Sequence, residues 1–375
     1  MKLKSVEYSE YDDLPWGWHL ENCTFHDINL IVGKNATGKT RTLNVVSNFA
    51  NLLSANWDIK FDGGSFDILF EENGADIRYA FGFENRKVAH EQLTRGDKIL
   101  LQRGADGKGT IFAAQLKTNI AFQPPPEELA VVSRRDAIQH PFLNGLYDWG
   151  KFVRHFQFGT QMGRNRLVFL VPRNPEKEWN PSEVVGIFKK GNDLYGNEYT
   201  KRIIEDMKKI GYELDSLSIG SIETMDAQGK PLLASGFHVK EKDLNTITPQ
   251  TLISAGMFRA LSLIIQLNYL LLASQPSCII IDDIGEGLDY SRSTALIDLL
   301  INKVKDTNMQ LIMSTNDRFV MNSVPIQYWS VIQRFPGKSV IYNYRNSKEI
   351  FDDFEFTGLS NFDFFTSNYF LKNRG

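Results

Sequence analysis

The sequence predicts an α/β fold, with a core of strands and helices that is interrupted by an antiparallel β insert and a helical lobe. The first observation is the order near the start of the chain. An apolar strand over 27–32 leads into a glycine-containing loop and then into a helix over 42–53. The second is an alternation of apolar and polar residues over 66–122, which indicates hairpins turned at Asn73-Gly74 and at Gly107.

The second half of the chain supplies the rest of the core. Helical spacing dominates 135–215, and a long helix is predicted over 250–272. Two short apolar segments, 278–281 and 310–313, are typical of buried strands, with a helix over 291–304 between them. These patterns divide the chain into a core at 1–60 and 274–345, a β insert at 61–125, a helical lobe at 126–273 and an aromatic C-terminal tail at 346–375.

The composition is that of an ordinary globular protein. Hydrophobic residues make up 42% and charged residues 23%, the formal net charge is -3 and the pI is about 6.1. No global charge attracts nucleic acid or an anionic membrane, so DNA or RNA could bind only at a local patch. Cys23 and Cys278 are too far apart for a zinc motif. The polar N-terminus does not resemble a signal, and the longest apolar run, 261–273, is too short to span a bilayer. We expect a cytoplasmic protein with no membrane partner.

Residues 33–40 read Gly-Lys-Asn-Ala-Thr-Gly-Lys-Thr, the complete G-x-x-x-x-G-K-T pattern of a phosphate loop. The pattern stands between a strand and a helix, which is the context that it requires. Backbone N–H groups of such a loop surround phosphates, Lys39 reaches the β- and γ-phosphates, and the hydroxyl of Thr40 binds Mg²⁺. The predicted nucleotide-binding residues here are Gly33, Lys34, Asn35, Ala36, Thr37, Gly38, Lys39, Thr40 and Arg41.

A second motif follows the apolar segment 278–281, where Asp282 and Asp283 stand at the carboxyl end of a predicted central strand. Ligands of open α/β sheets bind at that edge. We expect Asp282 to hold Mg²⁺ and Asp283 to orient and deprotonate the attacking water. Glu286 is close enough in sequence to take part in that second role.

A third motif lies between the first two. Residues 252–261 read Leu-Ile-Ser-Ala-Gly-Met-Phe-Arg-Ala-Leu. Small residues at a helix N-terminus leave a hydroxyl and N–H groups to grip a phosphate, and Ser254, Ala255 and Gly256 take that position. The segment resembles the signature of ABC-type ATPases, in which Leu-Ser-Gly-Gly-Gln opens a helix. Ala255 replaces one glycine, and Met257 replaces the glutamine.

The order of phosphate loop, signature and acidic strand resembles ABC-class ATPases of the RecF, SMC and OLD branch, often described as AAA-family ATP-binding proteins. The resemblance covers nearly the whole chain and implies an ABC-type P-loop core with a signature-bearing helical lobe. It further implies ATP and Mg²⁺ as ligands, held in a homodimer in which the phosphate loop of one copy faces Ser254 of the other. Asp289 matches the D-loop aspartate, Asn316 stands where many relatives have a switch histidine, and Gln139 is our candidate for the Q-loop glutamine.

Two departures from the family pattern bear on turnover. Asp283 stands where most ABC proteins have glutamate, and Asn316 cannot carry charge, so we expect slow ATP hydrolysis. The sequence has no long heptad stretch, and few residues follow the acidic strand. The chain therefore resembles a stand-alone ATPase subunit like those of bacterial anti-phage systems. That resemblance implies a separate effector, such as a nuclease, acting in genome maintenance or phage defence.

Two other functions are compatible with the motifs. A transporter subunit would share the phosphate loop, although the β insert and the diverged signature count against it. A scaffold that binds ATP without hydrolysis is compatible with Asp283. The aromatic tail is interpreted first as packed on the core and second as a partner-binding surface.

Overall fold

The computed structural model describes residues 1–11, 14–56, 62–160, 162–164, 180, 182–225, 231–273 and 278–372. The chain forms two compact units. Unit 1 comprises Met1–Arg154, Pro276–Ile280 and Asp306–Gly375, and unit 2 comprises His155–Gln275 and Ile281–Lys305. This division groups the segment 126–154 with the β insert and the core, and it groups the segment after the acidic strand with the lobe.

Strands and helices alternate irregularly along the described chain. The strands are β1 (Lys2–Glu10), β2 (Trp18–Thr24), β3 (Ile28–Val32), β4 (Gly63–Glu72), β5 (Ala75–Glu84), β6 (Lys87–Arg95), β7 (Lys98–Arg103), β8 (Gly109–Ala113), β9 (Thr118–Phe122), β10 (Arg154–Gln157), β11 (Leu214–Met225), β12 (Pro231–Glu241), β13 (Ile247–Pro249), β14 (Cys278–Asp282), β15 (Gln310–Thr315), β16 (Trp329–Phe335) and β17 (Lys338–Asn343). The helices are α1 (Lys39–Leu53), α2 (Ala130–Ser133), α3 (Asn144–Phe152), α4 (Val184–Lys209), α5 (Ala255–Leu272), α6 (Tyr290–Val304), α7 (Arg318–Ser323), α8 (Lys348–Glu355) and α9 (Asn361–Thr366).

Unit 1 is built on a large mixed sheet. Every residue of β3 is buried, as expected for a central parallel strand covered on both faces. Both neighbours of β3, β15 and β16, run parallel to it, with Thr315 and Val331 each opposite Val32. The carboxyl ends of these three strands therefore lie at one edge of the sheet. In unit 1 the strand order is β14, β15, β3, β16, β17, β2, β1, β4, β5, β6, β7, β8, β9.

Helix α1 packs an apolar stripe against unit 1. It begins at Lys39, three residues before the predicted start, and its Leu43, Val46 and Phe49 are fully buried at helical spacing. The Phe49 ring stacks on Trp149 of α3 with a centroid distance of 5.1 Å. This packing fixes the helix that follows the phosphate loop.

The predicted hairpins of the β insert are confirmed, because β4 to β9 form an antiparallel meander. Asn73 and Gly74 both have positive φ, +53° and +77°, which is the conformation of a two-residue hairpin turn. An ion pair within the insert, Arg103 Nε to Glu91 Oε2 at 2.7 Å, is fully buried. Glu91 also accepts the Ala130 N–H at 2.8 Å, which ties the segment after the insert to the sheet.

Unit 2 contains helices α4, α5 and α6 and a three-stranded antiparallel sheet, β11–β12–β13. The sequence patterns do not predict this sheet, because serine and glycine residues interrupt the apolar alternation in β11 and β12. A buried polar cluster joins the three helices. Asp206 of α4 accepts from Lys303 of α6 at 2.7 Å and from Asn268 of α5 at 2.8 Å. Helix α5 is long and apolar enough to cross a membrane, but most of it is buried inside the protein, as in the core helix of a folded unit.

The C-terminal aromatic segment folds back on unit 1. Phe351 and Phe354 of α8, Phe364 of α9 and Phe370 are buried. This is the packed arrangement that was the first interpretation of the tail. Phe356 is the exception, since it is 91% exposed after the end of α8.

Candidate functional site

The phosphate loop, residues 33–40, connects β3 to α1 in unit 1. Lys39 is buried, and its Nζ donates to the carbonyl oxygens of Gly33 at 2.8 Å and Lys34 at 3.1 Å. Thr37 Oγ1 donates to the Lys34 carbonyl at 2.8 Å. The loop thus curls around the lysine ammonium, which is how a phosphate loop presents positive charge to an anion.

Two glycines of the loop have no room for a side chain. A Cβ at Gly33 would lie 2.6 Å from both Ile332 Cγ2 and Thr37 Oγ1. Gly38 has a φ of +107°, and a Cβ there would lie 3.0 Å from Ser339 Oγ. The pattern G-x-x-x-x-G is therefore required by close packing as well as by backbone conformation.

The β16–β17 hairpin supports the phosphate loop. Ser339 Oγ donates to the Thr37 carbonyl at 2.9 Å and accepts from Trp18 Nε1 at 3.2 Å. Arg334 Nη1 donates to the Ala36 carbonyl at 3.2 Å. No local pattern in the sequence indicates these supporting residues, because Ser339 and Arg334 are about three hundred positions from the loop.

Arg41 is held by its own unit. Its guanidinium lies over the Trp18 ring at 3.9 Å and forms an ion pair with Glu10. Partial burial lowers the pKa of Arg41. A contact between Arg41 and nucleotide therefore stays a prediction.

Asn316 follows β15, the parallel neighbour of β3. Because Thr315 stands opposite Val32, Asn316 leaves the sheet at the same edge as the phosphate loop. Asn316 is exposed, and the next residue, Asp317, caps α7. The position of the backbone agrees with the predicted γ-phosphate contact, which itself stays a prediction.

The acidic turn of unit 2 begins at Asp282, the buried last residue of β14. Asp283 has a φ of +53°, a left-handed conformation that few non-glycine residues adopt and that is concentrated at functional sites. Gly285 and Gly287 also have positive φ, +90° and +77°, and the Glu286 N–H donates to the Asp283 carbonyl at 3.3 Å. This turn places the carboxylates of Asp283 and Glu286 directly after Asp282.

Strand β10 lies beside the end of β14 in unit 2, because the Phe158 N–H donates to the Asp282 carbonyl at 3.0 Å. Gln157, the last residue of β10, is exposed at this strand end. Burial lowers the pKa of His155 on the same strand, and the charge of Asp282 opposes that shift. Gln157 is a candidate that the sequence analysis missed. Its signal was the short alternation Arg-His-Phe-Gln ahead of Gly159.

Gln139 lies in unit 1 against the β insert. Its Nε2 donates to Gln115 Oε1 at 3.1 Å, and its carbonyl accepts the Ala114 N–H at 2.8 Å. Asp136 accepts its backbone N–H at 2.5 Å. Both ends of the residue are engaged within this unit, so the placement gives no support to the Q-loop role expected for Gln139.

The signature segment begins α5 as the sequence predicts. Ser254 is the N-cap, and its hydroxyl accepts the Met257 N–H at 3.3 Å. Ser254 and Ala255 are exposed, and a Cβ at Gly256 would lie 2.5 Å from the Gly287 carbonyl oxygen. The small residues of the signature therefore allow α5 to pack directly on the acidic turn while its first turn faces solvent.

Asp289 caps α6. Its carboxylate accepts the Arg292 N–H at 2.9 Å and pairs with Arg292 Nη1 at 2.7 Å. The hydrogen bond from the Arg292 N–H is the main cause that lowers the pKa of Asp289. The D-loop aspartate is thus engaged in helix capping, and its contact with nucleotide stays a prediction.

No group of three His, Cys, Asp or Glu side chains that could enclose a metal ion occurs among the residues that the structure describes. A Mg²⁺ ion in a phosphate-loop site does not need such a group, because it keeps waters and takes phosphate oxygens as ligands. The Thr40 hydroxyl and the Asp282 carboxylate are hard oxygen donors of the kind that Mg²⁺ prefers. Each of the two residues suits Mg²⁺ chemically, and the binding of one ion by both stays a prediction.

The phosphate loop between the central strand β3 and helix α1 defines a P-loop fold of the kind found in ABC-type ATPases. A family model described as "AAA domain, putative AbiEii toxin, Type IV TA system" matches residues 28–322, and the chain belongs to that family. No curated protein matches the sequence.

Several solved structures of SMC heads are similar to this chain. An SMC head bound to the C-terminal winged-helix domain of ScpA is 12% identical, with a TM-score of 0.52, over 91% of this chain and 97% of that chain. The head from Thermotoga maritima is 15% identical with a TM-score of 0.45, covering 91% of this chain and 98% of that one. A Pyrococcus furiosus head with an extended coiled coil, bound to the C-terminal domain of ScpA, is 11% identical with a TM-score of 0.48, covering 94% and 99%. The first of these structures, at 12% identity, shows a shared fold and nothing more.

Proposed function

We propose that this protein binds ATP with Mg²⁺ at the phosphate loop, hydrolyses it slowly, and uses ATP to join two copies of itself. The observation that carries the proposal is the buried Lys39 ammonium, enclosed by the carbonyls of Gly33 and Lys34 at 2.8 and 3.1 Å. A lysine held in this way by its own loop is the group that reaches the β- and γ-phosphates of a nucleotide in phosphate-loop proteins.

Mg²⁺, when bound, neutralises phosphate charge. Thr40 and Asp282 are the residues proposed to hold it, and Asn316 is proposed to contact the γ-phosphate. Gln157 is proposed for the Q-loop role in place of Gln139, since it ends the strand that is bonded to Asp282.

Hydrolysis requires a carboxylate that orients the attacking water. Asp283 is one methylene shorter than the usual glutamate, and its left-handed backbone redirects its side chain. Glu286 is exposed and belongs to the same turn. We propose that these two share the role and that turnover is slow.

The dimer proposal rests on the surface around the signature. Ser254 and Ala255 are exposed to solvent at the start of α5. Two large apolar side chains of unit 2 are also exposed, Leu252 at 73% and Tyr290 at 60%. Exposed small residues at a helix N-terminus suit a phosphate brought by another molecule. A second copy carrying ATP on its own phosphate loop supplies such a phosphate.

The wider role is proposed by analogy. One similar solved structure is an SMC head bound to a winged-helix domain of ScpA, so a head of this fold can bind a separate partner protein. For this chain we propose a separate effector, either a nuclease or another protein acting on nucleic acid, in genome maintenance or phage defence, in the cytoplasm.

The dimer is tested by measuring molar mass with light scattering after size exclusion, with and without ATP. The wild-type chain is expected to dimerise with ATP, and Lys39→Ala to stay monomeric because it binds no ATP. Ser254→Arg is expected to bind ATP with unchanged affinity and remain monomeric, whereas Ser218→Arg, a matched change at an exposed serine of the same unit, dimerises. ATP-dependent dimerisation by Ser254→Arg would exclude the proposed role of the signature.

Hydrolysis is tested separately by phosphate release. Release by the wild-type chain above the Lys39→Ala background is expected, with losses in Asp283→Asn and Glu286→Gln. Wild-type release equal to that background, together with intact ATP-dependent dimerisation, would favour the scaffold that binds ATP without hydrolysis.

A further inference from the structure

Arg259 of α5 makes an unusual set of contacts within unit 2. Its Nε donates to the Thr160 carbonyl at 2.8 Å, its Nη1 to the Glu286 carbonyl at 2.9 Å and its Nη2 to the Gly159 carbonyl at 3.1 Å. All three nitrogens of one guanidinium therefore bind backbone oxygens. These oxygens belong to two different segments, the loop after β10 and the acidic turn after β14.

Three glycines lie where these segments meet and keep the packing tight, and one of them, Gly287, lies against the guanidinium. A Cβ at Gly287 would lie 2.4 Å from Arg259 Nη1, and one at Gly159 would lie 2.6 Å from Glu286 Oε2. A Cβ at Gly256 would lie 2.5 Å from the Gly287 carbonyl oxygen. The start of α5 and the acidic turn thus meet backbone to backbone, and the loop after β10 packs at Gly159 against the Glu286 side chain.

Each segment that Arg259 joins contains a residue of the proposed site. The loop after β10 follows Gln157, and its Phe158 N–H is bonded to Asp282. The acidic turn contains Asp283 and Glu286. Arg259 itself stands five residues after Ser254 on the helix that Ser254 caps.

We propose that Arg259 is a positioning residue that couples the acidic turn to the signature, so that ATP contact at the turn sets the placement of Ser254. This inference rests on the proposed function and adds the residue through which nucleotide binding controls dimerisation. A guanidinium has five N–H donors in a fixed plane and can hold three carbonyls together. A lysine in its place keeps the charge but cannot reproduce that geometry.

The test compares wild-type chain, Arg259→Gln, Arg259→Lys and Arg202→Gln. The last is a matched control, because Arg202 is an exposed arginine of α4 paired only along its own helix with Glu198 in the contacts described for unit 2. Three quantities are measured: ATP affinity, the dimer dissociation constant with ATP and Mg²⁺, and ATP-induced change in amide hydrogen exchange over 254–262 and 283–289. Circular dichroism confirms folding, and Arg259→Lys carries the test if Arg259→Gln is unfolded.

Both Arg259 variants are expected to bind ATP within about twofold of wild type and to keep the exchange response over 283–289. They are expected to lose the ATP-induced change in hydrogen exchange over 254–262. Their dimer dissociation constant is expected to rise at least about tenfold, which is the effect of losing one hydrogen bond from a charged donor. Arg202→Gln is expected to match wild type. Arg259 variants that keep both exchange responses and dimerise like wild type would overturn the inference alone. A wild-type chain that binds no ATP would instead refute the proposed function, and the inference with it.

Discussion

The buried ion pair of the β insert gives a stability prediction whose size follows from the structure. Glu91 and Arg103 are fully buried and 2.7 Å apart. Replacing Arg103 with Gln leaves the Glu91 carboxylate buried without its cation and removes the donor to the Pro125 carbonyl at 3.3 Å. The Tyr79 hydroxyl and the Ala130 N–H still donate to Glu91, but neither carries charge.

We expect Arg103→Gln to lower the free energy of unfolding of unit 1 by about 3–5 kcal/mol, the cost of leaving one partner of a buried pair. The double variant Glu91→Gln/Arg103→Gln removes both charges, so it is expected to lose less than the sum of the single variants, with a coupling of about 2–3 kcal/mol. A loss of about 3–5 kcal/mol in Arg103→Gln is a large share of the stability of a typical domain.

The assay is urea unfolding followed by tryptophan fluorescence, which reports on unit 1 through the four tryptophans of the described residues, Trp16, Trp18, Trp149 and Trp329. The deficit of Arg103→Gln should also shrink as the pH falls from 7.5 toward 5. Burial raises the pKa of Glu91, and the charge of Arg103, which opposes that shift, is missing from the variant. The folded state then holds a proton that the unfolded state has released, so lowering the pH stabilises the variant.

Two results would refute this reasoning. One is a fall of less than about 1 kcal/mol in the free energy of unfolding of Arg103→Gln, because an exposed ion pair contributes that little. The other is strict additivity in the double variant, which would mean that Glu91 and Arg103 do not stabilise each other.

Two further predictions follow from the phosphate loop and from a half-buried histidine, His26. Gly33→Ala should weaken ATP binding at least about tenfold in a titration, because the added methyl would lie 2.6 Å from Ile332 and Thr37, whereas Gly186→Ala, with no atom within 4 Å, should bind ATP normally. Burial lowers the pKa of His26, and the charge of Arg345 adds to that shift. The unfolded chain therefore binds the proton first, so urea unfolding should show stability falling as the pH drops below about 6.5. His26→Gln should reduce that fall and His90→Gln, at an exposed histidine, should not; equal slopes in all three proteins would contradict the assignment.

The strand–loop–helix start and the insert hairpins could be predicted from sequence because their signals are local. Asn73 and Gly74 specify a tight turn by residue type alone, and the phosphate loop is a contiguous pattern. Ser254 could be identified as a helix start for the same reason, since a serine N-cap acts on the next turn of its own chain.

The missed features depend on contacts between distant segments. Ser339 supports Thr37 across about three hundred positions, and nothing near either residue indicates the pairing. Gln157 was missed because β10 has only four residues and shows no long alternation. The Q-loop role of Gln139 stays a prediction, and no local pattern indicates that its side chain pairs with Gln115 in the insert.

The N-cap role of Ser254 on α5 limits which amino acids can replace it. A hydroxyl has two lone pairs and one proton, and accepting the Met257 N–H uses one lone pair. The proton stays available, and in the proposed dimer it would donate to a phosphate oxygen of the second copy, so that one small group would serve both folding and binding. Aspartate would cap the helix equally well but would repel the phosphate, and alanine would do neither. Fewer substitutions should therefore be tolerated at position 254 than its solvent exposure suggests, and threonine should be tolerated best.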